Sequence, residues 1–242
     1  MRSFSLVTIA FAGLVPVMLK GQFGNGTLIC RSEISAPSSL KTLDVDGDGD
    51  RDLIVGSNAE ATQWGSRTPL VLFRNGGNGS FGPMQVIDST ARNVSVFVLA
   101  DLDQDGDSDI VVIQSGLAED TTAWYENLGG GAFGSSQSIA HGAFEWNLID
   151  AGDMDGDGDA DVLDSYGASI LWHENNGNGT FTTTHVVLDN MFAASLSLKD
   201  IDSDGDLDVL FGRSSYTQAY ASINDGSGGV GQPNVLYDGV DS

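Results

Sequence analysis

The apolar positions of this chain fall in short runs, each closed by acidic or glycine-rich stretches. "DLIVGS" (52–57), "DIVVIQS" (109–115), "DVLDS" (161–165) and "DVLFGRS" (208–214) are short and apolar, with β-branched residues in each, which reads as strands. Other short runs recur around them: "NVSVFVLA" (93–100), "FEWNLIDAG" (144–152), "PLVLFRN" (69–75), "TTAWYEN" (121–127), "ASILWHEN" (168–175), "FGPMQVI" (81–87), "FGSSQSIA" (133–140) and "FTTTHVVL" (181–188). Glycine turns separate the last two kinds of strand: "GGNGS" (76–80), "LGGGA" (128–132) and "NGNGT" (176–180). Alternation within single strands is weak, as expected where both faces are buried. A unit of strand, acidic loop, strand, loop, strand, glycine turn, strand, repeated at about 40–50 residues, predicts an all-β fold of propeller blades.

The acidic loops are the most regular feature. "DVDGDGDRD" (44–52), "DLDQDGDSD" (101–109), "DMDGDGDAD" (153–161) and "DIDSDGDLD" (200–208) all follow D-x-D-x-D-G-D-x-D, with starts 57, 52 and 47 residues apart. Crowded carboxylates repel, and calcium neutralises them. Calcium loops place oxygen ligands at positions 1, 3, 5, 7 and 9, with Gly at position 6 for the sharp turn. The candidate ligands are therefore Asp44, Asp46, Asp48, Asp50 and Asp52; Asp101, Asp103, Asp105, Asp107 and Asp109; Asp153, Asp155, Asp157, Asp159 and Asp161; Asp200, Asp202, Asp204, Asp206 and Asp208. Gly49, Gly106, Gly158 and Gly205 fill position 6. A merely solvated acidic loop explains the charge but not this repeated glycine. An EF-hand is excluded because position 12 of the first loop is Val55 and a strand, not a helix, follows. Four Ca²⁺ sites are expected.

These loops, with "DLIVG" (52–56), "WYEN" (124–127), "WHEN" (172–175) and the "FG" pairs at Phe81–Gly82 and Phe133–Gly134, resemble the FG-GAP/VCBS repeat family, the calcium-bearing blades of integrin α-subunit heads and many secreted proteins. The resemblance covers nearly everything from residue 40 onward. It implies a β-propeller with calcium clamped between the first and second strands of each blade. The fourth unit departs from the pattern: "AYASINDGSGGVG" (219–231) shows no aromatic-Glu-Asn and no Phe, so less order is expected in its outer strands.

The expected blades span 38–93, 94–144, 145–193 and 194–242. Two readings stand for 1–37. "VMLKGQFGNGTLICRSEIS" (17–35) aligns on the later strands of a repeat, which makes a partial blade. Alternatively Arg2, the apolar "FSLVTIAFA" and the Ala10–Ala12 motif form a signal peptide over 1–12. An incomplete blade exposes strand edges, so self-association is expected.

Charge narrows the function. Of 34 acidic residues, 20 sit in the four loops, and only 10 residues are basic, for a net charge of −24. No basic patch supports nucleic-acid binding. Pro16 and Lys20 interrupt an apolar run already too short for a transmembrane helix. The lone Cys30 allows no disulfide within the chain. Sequons occur at Asn25, Asn78, Asn93 and Asn178, three of them in the repeat's own turn. Calcium at the affinity of extracellular modules points to a secreted or cell-surface protein.

No catalytic constellation is legible. Glu126 and Glu174 occupy equivalent positions on successive units, which suits a shared structural role better than a glycosidase pair. His141, His173 and His185 follow no metal spacing. Trp64, in the polar insert "NAEATQWGSRTP" (58–69), is a candidate ligand contact, whereas Trp124, Trp146 and Trp172 are expected to pack within or between blades. The reading is a non-catalytic extracellular recognition module for glycan or protein. The alternatives are a structural protein of a fibre, sheath or matrix, and an accessory propeller of a polysaccharide-degrading enzyme.

Overall fold

The computed structural model describes residues 29, 34, 36–58, 70–77, 79–91, 93–114, 120–142, 148–213 and 218–238. Of the expected partial blade (1–37) or signal peptide (1–12), only Ile29, Ile34, Ala36 and Pro37 are described, and Asn25, Cys30, Trp64, Asn78 and Trp146 lie outside the described residues. The described residues form four four-stranded antiparallel sheets and no helix. The first contains β1 (Pro37–Leu43), β2 (Asp52–Ser57), β3 (Leu70–Phe73) and β4 (Gln85–Asp88). The second contains β5 (Val96–Ala100), β6 (Asp109–Gln114), β7 (Asp120–Tyr125) and β8 (Gln137–Gly142). The third contains β9 (Ile149–Gly152), β10 (Asp161–Tyr166), β11 (Ser169–Asn175) and β12 (Phe181–Leu188). The fourth contains β13 (Ala193–Lys199), β14 (Asp208–Arg213), β15 (Gln218–Ser222) and β16 (Asn234–Asp238). Strands pair in sequence order within every sheet. This is the all-β, β-propeller blade architecture expected from the repeats.

Register follows from the loops. Each acidic loop joins the first two strands, and its last Asp opens the second: Leu43 faces Asp52, Ala100 faces Asp109, Gly152 faces Asp161 and Lys199 faces Asp208. The second and third strands are the most buried, because sheet neighbours cover both edges and apolar side chains pack on both faces; β2 and β3 are buried throughout. The outermost strands carry the exposed apolar residues Val86, Val186, Val235, Leu236 and Tyr237. The fourth sheet is complete, contrary to the order expected there. Asn224 stands where Asn127 and Asn175 stand, and it bridges Val230 as Asn127 bridges Phe133. Val230 fills the place of the missing Phe, so the strand needs an apolar residue there and not an aromatic one.

The chain divides into two compact units, residues 1–95 with 129–132, and residues 96–128 with 133–242. In the first, Leu53, Val55, Val71 and Phe73 form the core. In the second, one cluster joins Leu102, Val111, Ile113 and Trp124 to Ile149 and Val162, and another joins Met154, Leu163, Ile170 and Trp172 to Val209, Phe211 and Tyr220. Trp124 and Trp172 are thus packed between blades, as expected. A Cβ on Gly179 would run into the Trp124 ring, and one on Gly228 into Trp172. The glycine turn of the third blade packs closely on the tryptophan of the second, and that of the fourth on the tryptophan of the third.

The third sheet holds a buried polar pair where the second holds an apolar one. Asp164 and His173 occupy the register positions of Val112 and Tyr125, at 0% and 2% exposure. His173 Nε2 lies 3.1 Å from Asp164 Oδ2 and Nδ1 lies 3.0 Å from Thr184 Oγ1. Thr122 Oγ1, from the second sheet, donates to the same Asp164 oxygen. Removing one partner of a buried pair leaves the other uncompensated. Asp164→Ala should therefore cost about 3–5 kcal/mol, read by urea unfolding. The double change Asp164→Val with His173→Tyr, which copies the second sheet, should cost clearly less. A double variant as unstable as the single one would contradict this reading of the pair.

Candidate metal centres

Each acidic loop is built by its own carboxylates before any ion is considered. The first Asp accepts the N–H of the glycine at position 6: Asp44 from Gly49 at 2.8 Å, Asp101 from Gly106 at 3.0 Å, Asp153 from Gly158 at 3.0 Å and Asp200 from Gly205 at 3.2 Å. The Asp at position 5 accepts the N–H at position 7, as Asp48 does from Asp50 at 2.8 Å and Asp105 from Asp107 at 2.8 Å. The position-6 glycines have φ of +90°, +94°, +95° and +104°, with no atom near enough to exclude a side chain. The backbone conformation, not space, demands glycine there. Position 4 is also left-handed, yet it is Gln104 (φ +62°) in the second loop and Ser203 (φ +69°) in the fourth.

The ninth Asp does something its place in the motif does not reveal. Asp52, Asp109, Asp161 and Asp208 are all at most 1% exposed. One oxygen of each accepts the N–H of loop position 2: Val45 at 3.0 Å, Leu102 at 2.9 Å, Met154 at 3.0 Å and Ile201 at 3.0 Å. The other accepts the N–H of the asparagine that ends the third strand's run: Asn75 at 2.7 Å, Asn127 at 2.8 Å, Asn175 at 2.8 Å and Asn224 at 2.9 Å. That asparagine returns to the loop through its own amide. Asn175 Nδ2 donates to Ala160 O in its own loop and to Leu102 O in the preceding one; Asn224 Nδ2 donates to Leu207 O and Met154 O. The asparagines stood in the sequence at a fixed place, but only this geometry gives them a task.

Three carboxylates converge in every loop, with one oxygen from each within 4.8 Å of the others: Asp44, Asp46 and Asp48; Asp101, Asp103 and Asp109; Asp153, Asp155 and Asp161; Asp200, Asp202 and Asp208. Positions 1 and 3 are common to all four. Position 5 enters only the first cluster, and position 9 the other three. Position 7 lies elsewhere in three loops: Asp50, Asp159 and Asp206 sit against the turn glycines Gly77, Gly177 and Gly226. Asp46 Oδ1 and Asp101 Oδ1 are buried and have no hydrogen-bond partner. Clustered hard oxygens with unpaired buried lone pairs fit a calcium ion.

Burial and repulsion act on these groups in the same direction. Burial pushes Asp109 and Asp161 up to about 6, against the pull of their two backbone N–H bonds. Asp155, Asp159, Asp202 and Asp206 are also raised, by desolvation first and by neighbouring carboxylates after it. The histidines are occupied elsewhere: His141 between Thr121 and Ser138, and His185 stacked on Trp172 and paired with Glu174 at 2.9 Å. Asn178 is exposed, with its Oδ1 accepting from Thr180, while Asn93 has φ +43° and a buried Oδ1.

The model of the FG-GAP-like repeat matches residues 44–112, 101–163 and 164–211. No curated protein matches the chain in sequence. Among solved structures, the chain is similar to a lectin of Agrocybe aegerita described as recognising non-reducing terminal N-acetylglucosamine, with TM-score 0.62 and 24% identity over 90% of this chain and 58% of that one. The chain thus spans less than two thirds of that lectin. A Photorhabdus luminescens Tc holotoxin pore matches at TM-score 0.33 and 15% identity, over 82% of this chain and 12% of that one.

Raised carboxylates give a signed pH dependence. A group whose folded pKa lies above its unfolded value binds its proton more tightly when folded, so stability falls as pH rises between the two values. In EDTA the melting temperature should therefore rise as pH drops from 7.5 towards 5, through the window set by the value of about 6 at Asp109 and Asp161. In millimolar Ca²⁺ the trend should reverse, because protons compete with the ion for the same oxygens. Parallel pH profiles with and without calcium would contradict this.

Proposed function

We propose that this chain, which belongs to the FG-GAP-like repeat family, is an extracellular, calcium-stabilised recognition module that binds a glycan and performs no catalysis. The observation that carries the reading is a cleft of about 390 Å³ in the first blade. Asp46 and Asp48 border it from the loop, Arg74 and Asn75 from just beyond β3, and Gln85 from the start of β4, with Phe81, half-buried against the core and bridged to Asn75, completing the lining. Sugar hydroxyls ask for this mixture of carboxylate acceptors and amide donors, and an aromatic ring offers area to the C–H face of a pyranose. The fold likeness to a lectin supports the same reading.

Calcium enters as a support for the cleft. Asp46 and Asp48 are both candidate ligands and cleft walls, so an ion in the first loop fixes the side chains that meet the sugar. Four ions would lower the net charge from −24 to −16. Calcium at extracellular concentrations suits modules of millimolar-range affinity, which supports the extracellular reading. Trp64, from the insert between β2 and β3, is proposed as a further ligand contact.

A second reading has its own observation. β12 and β16 are outermost strands that expose Val186, and Val235, Leu236 and Tyr237. Apolar edge strands are templates for pairing with another chain, which favours self-association and a role in an extracellular fibre, sheath or matrix.

A glycan array in millimolar Ca²⁺ and again in EDTA separates the two. Glycan recognition requires calcium-dependent binding to a defined sugar class, weakened about tenfold or more by Phe81→Ala and also reduced by Gln85→Ala and Trp64→Ala. An array silent in both conditions, with filaments or large oligomers forming as concentration rises, would replace this reading with the structural one.

A further inference from the structure

The residue before the strand-ending asparagine differs in charge from blade to blade. It is Arg74 in the first, Glu126 in the second, Glu174 in the third and Ile223 in the fourth. The loops themselves carry the same five aspartates, so this neighbour is a variable charge beside a constant set of carboxylates.

Arg74 is held firmly. Its Nη1 lies 3.2 Å from Asp46 Oδ2, and its Nη2 donates to Gly130 O at 2.7 Å. Gly130 belongs to the stretch 129–132 of the same compact unit. A side chain on Gly131 would run into the guanidinium, so the turn is shaped around the arginine. The contact takes one oxygen of Asp46 and leaves the other, Oδ1, buried and unpaired. In the third blade the neighbour has the opposite sign, and the Glu174 charge adds to those that hold Asp155 up. Arg51, also in the first loop, is exposed and turns its Nη1 to Thr42 O at 3.0 Å.

We infer that Arg74 sets the first loop apart as the weakest of the four calcium sites and partly neutralises that loop when no ion is bound. The inference rests on the calcium part of the proposed function and not on the glycan. Affinity in such loops follows ligand charge count. A guanidinium on Asp46 subtracts from the field that draws the cation and repels the cation directly. The other three sites have no such cation at this position. The four ions then load unequally, and the cleft beside the first loop responds to calcium at a higher concentration than the rest of the fold.

Calorimetric calcium titration of the full chain tests this, with circular dichroism to confirm that each variant is folded. The wild type should show three tighter equivalents and one weaker by about tenfold. Arg74→Glu, which copies the second and third blades, and Arg74→Met, which copies the uncharged neighbour of the fourth, should each move the first site into the tighter class. Glu126→Arg should move a second site into the weak class, whereas Arg51→Ala should leave the isotherm unchanged. Four equivalent sites in the wild type, or an Arg74→Glu isotherm identical to it, would overturn the inference while leaving calcium binding intact. A chain that takes up no calcium in any form would sink the inference together with the calcium reading beneath it.

Discussion

The carboxylates of Asp52, Asp109, Asp161 and Asp208 each tie together three parts of a blade. One oxygen takes the backbone of loop position 2, the other the backbone of the asparagine ending the third strand, and the residue itself opens the second strand. The loop's direction, the hairpin register and the meeting of second and third strands all depend on this one group. The asparagine it holds then reaches a carbonyl of the preceding loop in the third and fourth blades. A local staple inside one repeat thereby sets the contact between repeats.

This staple works at a cost. A carboxylate out of water loses solvation, and two N–H bonds return only part of it, as the raised Asp109 and Asp161 indicate. The same oxygens lie among other carboxylates. Without a cation the arrangement holds its charges against both burial and repulsion. A calcium ion held there would relieve both at once, which would make the loop chemistry and the fold's stability one problem. The first blade differs, because Arg74 already supplies a positive charge at Asp46.

Much of this was legible in the sequence. Four identical spacings gave the loops, the apolar runs gave the strands, and the tryptophans of "WYEN" and "WHEN" are packed between blades as expected. What stayed hidden depends on contacts across distant sequence. Nothing in "DGD" tells a ligand at position 7 from a side chain resting on a turn glycine, as Asp159 rests on Gly177. Nothing marks position 9 as a staple, since one of its two partners lies 14 to 23 residues away, at the end of the third strand. The fourth blade misled because its pattern was judged by aromatic residues, whereas Asn224 and Val230 carry the structural role. The Asp164–His173 pair was invisible for the same reason, since each half reads as an ordinary polar residue in a strand.

The most direct measurement compares thermal unfolding of Asp161→Ala and Asp157→Asn, each in EDTA and in millimolar Ca²⁺. Asp161 is buried on two backbone N–H groups, while Asp157 is exposed on the loop. Alanine at 161 leaves both buried N–H groups without their acceptor, so this variant should lose about 1–3 kcal/mol even without calcium. Asp157→Asn should lose stability only when calcium is present. If both variants matched the wild type in EDTA and lost equal stability in calcium, the ninth carboxylate would be a ligand alone and the staple would not be what holds the blade.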